Sequence, residues 1–182
     1  MDNGASSYRR FLDGEESAFD EIMQGLFHNL VFFIDQYVHD IPAAEDLAID
    51  AFSDLIVHKH RYNFKVSLKT YLFMIGRSRA LDYLKHKKVL EMISFSETGE
   101  PADEKELEAE ILADERKRAL HGAIQKLPLE MQTVIHLVYF EELSYEEAAM
   151  VMKKKKKQID NLLYRAKKEL RLLLEAEGDA LS

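Results

Sequence analysis

Apolar residues recur along the N-terminal half of the chain at the three- and four-residue spacing of helices. Between Glu16 and Tyr37 they stand at positions 19, 22, 23, 26, 27, 30, 31, 33 and 34, which predicts one amphipathic helix. Ile41-Pro42 interrupts this pattern, and Pro42 suits the first turn of a next helix, predicted from about Ala43 to His58. A further helix is predicted from near Ser67 through Lys87.

The predicted helix over 43–58 has two different faces. A helical wheel places one broad apolar face toward the core, formed by Leu47, Ala48, Ala51, Phe52, Leu55 and Ile56. An opposite arc of about 100° is acidic and polar, and it contains Asp46, Asp50, Ser53 and Asp54. A loop of polar and aromatic residues follows, made of His60, Arg61, Tyr62, Asn63, Phe64 and Lys65. The helix after this loop combines apolar residues with the cations Lys69, Arg77, Arg79 and Lys85.

The C-terminal third contains the sharpest local signal. Ser144 and Glu147 have the spacing of a capping box, which predicts a short helix over Tyr145 to Met152. Five lysines follow, and a second helix is predicted from about Lys156, with Ile159, Leu162, Leu163 and Ala166 at packing spacing. A short helix, a tight turn and a basic second helix predict a helix-turn-helix. Its outward residues would contact DNA bases or phosphates, and they are Lys155, Lys156, Lys157, Asp160, Asn161, Tyr164 and Arg165.

The net charge of −8 hides an alternation of acidic and basic segments. Residues 13–54 contain eleven acids and no Lys or Arg, whereas residues 58–88 contain nine Lys/Arg and a single acid. Residues 96–115 contain nine acids and one Lys, and residues 151–171 contain nine Lys/Arg and two acids. Because distant charges are screened, these local fields decide which surfaces attract nucleic acid. The alternative explanation is that the charge runs are ordinary solvated faces.

The composition excludes several classes of function. The absence of cysteine excludes disulfides, thiolate metal sites and a cysteine nucleophile, and it suits a reducing cytosol. Asp46, Asp50 and Asp54 lie in one row without a converging partner, and His58 and His60 point apart, so no metal is expected. No glycine loop that could cradle a phosphate is present, and no cofactor or catalytic residue is expected. The polar N-terminus lacks the apolar run of a signal peptide, and no segment suits membrane insertion, so a cytoplasmic protein is expected.

The chain is expected to divide into two helical domains. Residues 91–117 are mostly of one charge sign and contain the Gly and Pro between the halves, which predicts an acidic linker. The expected fold is all-α, with domains over 8–90 and 118–176.

Segments in both halves of the chain, in order, resemble the extracytoplasmic-function sigma factors of the sigma-70 family. Region two is resembled by Gly14-Glu15-Glu16-x-Ala18-Phe19, by Ala44-Glu45-Asp46-Leu47-x-x-Asp50-Ala51-Phe52, and by Lys69-Thr70-Tyr71-Leu72-x-x-Ile75-Gly76-Arg77 with Ala80-Leu81-Asp82-x-Leu84. Region four is resembled by Leu127-Pro128, Gln132-x-Val134-Ile135-x-Leu137, Glu142-Leu143-Ser144-Tyr145-x-Glu147-Ala148-Ala149 and Gln158-Ile159-x-Asn161-Leu162-Leu163-Tyr164-Arg165-Ala166. The resemblance covers about nine-tenths of the chain.

The resemblance implies a function in transcription initiation, without enzymatic activity of the chain itself. The face of Asp46, Asp50, Ser53 and Asp54 would bind core RNA polymerase. The loop His60–Lys65 would capture a base flipped from the minus-ten element of promoter DNA, and Lys69, Tyr71, Arg77, Ser78 and Arg79 would stabilise the opened strand. The helix-turn-helix would bind the minus-thirty-five element as duplex. The family often pairs with an anti-sigma protein that grips both domains, and the resemblance leaves such a partner open.

Three positions depart from the family pattern. Tyr71 stands where the family often has Trp, and Ser78 where it usually has Asn. Lys153 and Lys157 stand at turn positions where many members carry Gly. A lysine is costly where φ must be positive, so a more helical turn is expected here.

Two rival functions remain at this point. One is a stand-alone helix-turn-helix regulator whose N-terminal half dimerises or senses a signal. The other is a polymerase-binding inhibitor that never opens DNA. A dimerisation module has no need of nine cations in residues 58–88, whereas single-strand capture does. The aromatic residues Tyr62, Phe64 and Tyr71 also have an alternative explanation, which is that they belong to the core.

Overall fold

The computed structural model describes the backbone of residues 4–94 and 115–180, and the side chains of residues 4–93 and 117–176. The described parts are helical and connected by turns. The helices are α1 (Ala5–Leu12), α2 (Ser17–Val38), α3 (Ile41–Val57), α4 (Leu68–Ser94), α5 (Glu115–Gln125), α6 (Leu129–Ile135), α7 (Tyr145–Met152) and α8 (Lys156–Ala180), with a π-helical segment over His136–Phe140. The all-α prediction is therefore confirmed.

A side-chain cap determines where α3 begins. The Asp40 side chain accepts a hydrogen bond of 3.1 Å from the Ala43 amide, so α3 begins at Ile41, two residues earlier than predicted. Helix α4 is longer than predicted and continues to Ser94, so the first residues that we assigned to the linker are helical. Most of that linker lies outside the described residues.

The N-terminal core is formed by α2, α3 and α4, and α1 closes one side of it. Its fully buried side chains include Tyr8, Ile22, Leu30, Phe33, Ile34, Phe52, Leu55, Leu68, Leu72 and Phe73. Gly76 permits the close approach of α4 to α2, because a Cβ at this position would lie 2.7 Å from Leu30 Cδ1. Helix α1 was not predicted, although Tyr8 is completely buried.

The C-terminal core lies between α6, α7 and α8. Its buried residues include Leu127, Val134, Leu137, Leu143, Ala148, Val151, Ile159, Leu163 and Ala166. This core is continuous with the N-terminal one, because α4 packs against α7 and α2 against α6. The two halves therefore form one closed arrangement. No helix in the described ranges combines the length and the apolar character that a bilayer crossing requires.

Candidate polymerase and nucleic-acid interfaces

The acidic face of α3 is present as predicted, but it is partly neutralised from within the chain. Asp46, Asp50 and Ser53 are exposed, and Asp54 is half-buried. Arg79 of α4 forms a salt bridge with Asp54 and lies 3.5 Å from Asp50. The Ser53 hydroxyl donates to the Ile49 carbonyl at 2.9 Å, so it is already engaged. A basic partner would meet two carboxylates that Arg79 already contacts.

Three exposed apolar side chains lie on the same helix. Ile49 is 49% exposed, Ile56 44% and Val57 70%. The wheel assignment of Ile56 to the core was therefore wrong, because this side chain is exposed among the described parts of the chain. The sequence contained a signal for this surface, since Ile49 and Ile56 are seven residues apart and so share one side of the helix. A surface that combines acidic side chains with exposed apolar ones is typical of a site that binds another protein.

The loop His60–Lys65 has its charged residues outside and its aromatic residues inside. His60, Arg61, Asn63 and Lys65 are exposed, whereas Tyr62 is only 4% exposed and donates a hydrogen bond to the Val66 carbonyl at 2.6 Å. Tyr62 therefore belongs to the core, in agreement with the alternative explanation for the aromatic residues. Phe64 is half-buried and has a φ of 60°, which is unusual for a bulky residue. The Lys65 amide donates to Asn63 Oδ1 and tightens the turn.

Helix α1 anchors this loop through Tyr8. The Tyr8 hydroxyl donates to the carbonyls of Leu55 and Lys59 at 2.8 and 3.2 Å, and burial raises its pKa to about 12. The Tyr8 ring lies 5.6 Å from that of Tyr62 and 6.1 Å from that of Phe64, measured between centroids. The aromatic side chains thus join α1, the end of α3 and the loop into one packed unit.

The predicted strand-binding residues of α4 are in different environments. Ser78 is exposed, Tyr71 is half-buried with its ring centroid 5.1 Å from that of Tyr62, and Arg77 is half-buried. Arg79 faces the acidic residues of α3, as described above. Lys69 lies against the C-terminal domain, with its ammonium 2.7 Å from Glu141 Oε2 and 2.8 Å from the Glu141 carbonyl oxygen.

Glu141 is the centre of the contact between the two domains. It is 4% exposed, and besides Lys69 it accepts a hydrogen bond of 3.0 Å from Asn29, while His136 Nε2 lies 3.2 Å from its Oε1. Burial raises the pKa of this carboxyl, but the contacts with His136, Lys69 and Asn29 outweigh burial and lower it to about 2. Glu141 is therefore ionised and paired in the closed arrangement.

Further polar contacts join the domains around Glu141. Tyr37 Oη and Thr133 Oγ1 are 3.0 Å apart, and Gln36 Nε2 lies 2.8 Å from His136 Nδ1. On the other side, Thr70 Oγ1 donates to Glu147 Oε1 at 3.0 Å. We call this set of contacts the interdomain clasp. Its N-terminal residues are Asn29, Gln36, Tyr37, Lys69 and Thr70, and its C-terminal residues are Thr133, His136, Glu141 and Glu147.

The helix-turn-helix has the predicted start. Ser144 Oγ accepts from the Glu147 amide at 3.2 Å, and Glu147 Oε2 accepts from the Ser144 amide at 2.9 Å, so the capping box is complete. The turn differs from the expectation, because Lys153 has a φ of 53° and ends α7 in the left-handed conformation. A more helical turn was therefore a wrong prediction. The buried Met152 and Ile159 on either side fix the path of the turn.

The predicted duplex-binding residues lie on the solvent side of α8 and at Lys155, the residue before it. All seven are exposed, whereas the intervening packing residues are buried; the seven are Lys155, Lys156, Lys157, Asp160, Asn161, Tyr164 and Arg165. Lys156 Nζ lies 2.5 Å from Glu146 Oε1, and Lys154 Nζ lies 2.8 Å from Glu130 Oε1. The Lys155 amide donates to Gln158 Oε1 and so caps the start of α8.

Groups of acidic, histidine and cysteine residues that could hold a metal ion do not occur among the described residues.

Comparison with known proteins identifies both halves. Residues 23–89 match the family description "Sigma-70 region 2", and residues 117–170 match "Sigma-70, region 4". The chain is 28% identical over 162 residues to the ECF RNA polymerase sigma factor SigM of Bacillus subtilis, covering 85% of this chain and 93% of SigM. It is also 28% identical over 167 residues to the RNA polymerase sigma-H factor of Pseudomonas aeruginosa, covering 86% of each.

Two solved structures have a similar fold. The sigma factor RpoE of Bartonella quintana, in complex with the anti-sigma factor NepR, aligns with a TM-score of 0.70 at 20% identity, covering 86% of this chain and 96% of RpoE. CnrH, in complex with the cytosolic domain of CnrY, aligns with a TM-score of 0.62 at 18% identity, covering 96% of each chain. With the two regional matches in order along one chain, this protein belongs to the sigma-70 family and is a sigma factor of the extracytoplasmic-function group.

Proposed function

We propose that this chain binds core RNA polymerase and directs transcription initiation at specific promoters, with the residues described above in the individual roles. The observation that carries the proposal is that one chain combines a helix-turn-helix with an exposed basic recognition face and a separate cationic loop over an aromatic cluster. Duplex binding requires the first and single-strand capture the second. We assign residues 8–90 to polymerase binding and the minus-ten element, 91–117 to the linker, and 118–176 to the minus-thirty-five element.

The polymerase surface in this proposal is the acidic side of α3, with its exposed apolar neighbours. Charge complementarity with a basic partner would set orientation and encounter rate, and Ile56 and Val57 would add buried apolar area. Because Arg79 already contacts Asp50 and Asp54, a basic partner would have to compete with this arginine for the two carboxylates. We expect Asp46, which is exposed, to be the most accessible of the three carboxylates.

The experiment that tests this proposal is retention of purified bacterial core RNA polymerase by the tagged chain. We expect the wild type to retain polymerase and the Asp46→Ala, Asp50→Ala, Asp54→Ala triple variant to lose it. A second triple variant, changed at the exposed acids Asp13, Glu16 and Asp20, has the same net charge and should bind normally. Circular dichroism should show that both variants are folded. Failure of the folded wild type to retain polymerase would overturn the proposal.

The duplex surface is the outward side of the first turns of α8. Lys156 and Lys157 are both exposed, but Lys156 is paired with Glu146 of α7. A phosphate contact by either lysine should raise affinity for all sequences alike, and its removal should reduce the slope of log K against log salt by about 0.9. We therefore expect Lys157→Ala to flatten the slope in promoter titrations of holoenzyme, and Lys156→Ala to do so less. An unchanged slope for both would show that neither lysine contacts phosphate.

The remaining assignments follow from this function. We propose that the chain has no enzymatic activity of its own and acts in the cytoplasm, where polymerase and promoters are available. An anti-sigma protein is a further proposed partner, supported by the complex in which the RpoE relative was solved. We expect the acidic segment 96–115 to lie near the RNA path of the polymerase and to mimic nucleic-acid charge. Apart from the backbone of Glu115, this segment lies outside the described residues. Neutralising its acids should change the ratio of abortive to full-length transcripts.

A further inference from the structure

Helix α1 contributes side chains to the surface of the proposed strand-capture loop. Tyr8 fixes the helix to the loop and to the end of α3, as described above. Two cations from this region lie over aromatic rings: the Arg9 guanidinium carbon is 4.8 Å from the centroid of the Phe64 ring, and Lys59 Nζ is 4.6 Å from that of Phe11. The cationic surface around His60–Lys65 is therefore wider than the loop itself.

Arg9 differs from its neighbour Arg10 in its contacts. The Arg10 guanidinium is held by two carboxylates, because it forms salt bridges with Glu15 and Glu21. The Arg9 side chain is exposed and lies over the Phe64 ring, and it forms no salt bridge with a described residue. Stacking uses the face of a guanidinium and leaves the N–H donors at its edge available, in the geometry that suits a phosphate. The charge of Arg10 is thus neutralised by carboxylates, whereas the charge of Arg9 is available to an anion.

The Phe64 ring beneath Arg9 is held in an unusual position. Its φ of 60° puts the backbone in the left-handed region, which a bulky residue rarely occupies. The ring is packed between Tyr8 and Tyr62, with centroid distances of 6.1 and 4.6 Å, and Arg9 covers it from the outside. Strained residues of this kind persist where the surroundings fix them, and they concentrate at binding sites. Arg9 is one of the groups that contact this ring.

We propose that the strand-capture site extends onto α1 and that Arg9 is one of its DNA-binding residues. Arg9 holds the Phe64 ring in place through its face and neutralises a phosphate of the single strand through its edge. This inference rests on the proposed function, because it presupposes that the loop His60–Lys65 binds single-stranded DNA. The ligand class is the single-stranded phosphodiester backbone, so the contact does not depend on base sequence.

The test is binding of a fluorescein-labelled single strand of about 20 nucleotides, of random sequence, to the chain assembled with core RNA polymerase. Fluorescence anisotropy gives the affinity at salt concentrations from about 50 to 200 mM. The variants are Arg9→Ala, Arg9→Lys and the matched control Arg10→Ala. Lys65→Ala reports separately on the loop, and thermal melting of each variant checks the fold.

We expect Arg9→Ala to weaken binding about threefold to tenfold and to reduce the salt slope by about 0.7, the value for one phosphate of a single strand. Arg9→Lys should keep the slope, since the charge is retained, and Arg10→Ala should leave both quantities unchanged. A reduced slope for Lys65→Ala with an unchanged slope for Arg9→Ala would overturn the extension onto α1 and leave the proposed loop function in place. An unchanged slope for both variants would also contradict the proposed loop function. An equal effect of Arg9→Ala and Arg10→Ala would assign the loss to general charge and overturn the specific contact.

Discussion

Glu141 allows the strength of the interdomain clasp to be predicted. The pKa of its carboxyl is about 2 in the closed arrangement, against an ordinary value of 4.5. Since one pKa unit corresponds to about 1.4 kcal/mol, the closed arrangement favours the carboxylate over the neutral acid by roughly 3 kcal/mol. Glu141→Gln removes this charge and leaves the Lys69 ammonium, which is 13% exposed, without its ionic partner. His136 belongs to the same domain as Glu141, so only the contacts with Lys69 and Asn29 act on the equilibrium between this closed arrangement and an open one in which the domains are apart. We therefore expect Glu141→Gln to move that equilibrium toward the open arrangement by up to about a hundredfold.

The absence of cysteine from the sequence permits a direct assay. Cysteines introduced at the exposed positions Glu45 in α3 and Lys168 in α8 can be labelled with a donor and an acceptor dye, one on each domain. We expect lower energy transfer for Glu141→Gln than for the wild type. The control is Glu142→Gln, because Glu142 is exposed and its substitution changes the net charge by the same amount.

The same carboxyl predicts a dependence on pH. Because the pKa of Glu141 is lowered in the closed arrangement, its contribution is fully present above about pH 4.5 and is lost as the pH falls toward about 2. The difference in energy transfer between wild type and Glu141→Gln should shrink over that interval. Equal transfer for Glu141→Gln and Glu142→Gln at neutral pH would refute the reasoning, since the buried carboxylate would then not hold the domains together.

Three substitutions test local features by chemical denaturation. Lys153→Gly should raise the free energy of unfolding by about 1 kcal/mol, because glycine relieves the left-handed backbone, whereas Lys168→Gly inside α8 should lower it by about as much. Ser144→Ala removes the hydroxyl of the capping box and should cost about 1 kcal/mol, and an unchanged midpoint would show that the box is dispensable. Gly76→Ala should cost about 1–3 kcal/mol, because its Cβ would lie 2.7 Å from Leu30 Cδ1; a stabilised variant would mean that the α2–α4 contact adapts.

Features that depend on neighbours along the chain could be predicted from the sequence. The capping box at Ser144, the bounds of α7 and the start of α8 were predicted correctly, because short-range spacing determines them. The sequence also contained a signal for the earlier start of α3. Asp40 stands three residues before Ala43, which is the spacing at which an N-cap side chain accepts from a backbone amide. Helix α1 was missed because it is only eight residues long and is stabilised by Leu55 and Lys59, about fifty residues away.

The interdomain clasp could not be predicted from the sequence. Lys69 and Glu141 are separated by 72 residues, and Asn29 and Glu141 by 112, so no local pattern connects them. A glutamate ordinarily lies on the surface, and Glu141 is buried because α2 and α4 pack against the C-terminal domain. Exposure of Ile56 was misjudged for a related reason, because a helical wheel shows which residues share a side and not which side a neighbour covers.

The two carboxylate oxygens of Glu147 accept hydrogen bonds from different parts of the molecule. Oε2 accepts from the amide and hydroxyl of Ser144 and so belongs to the start of α7, while Oε1 accepts from Thr70 of the other domain. Separation of the domains breaks the second bond and leaves the first pair intact. We therefore expect the helix-turn-helix to keep its recognition surface assembled if the domains separate, because the capping box does not depend on the interdomain contact.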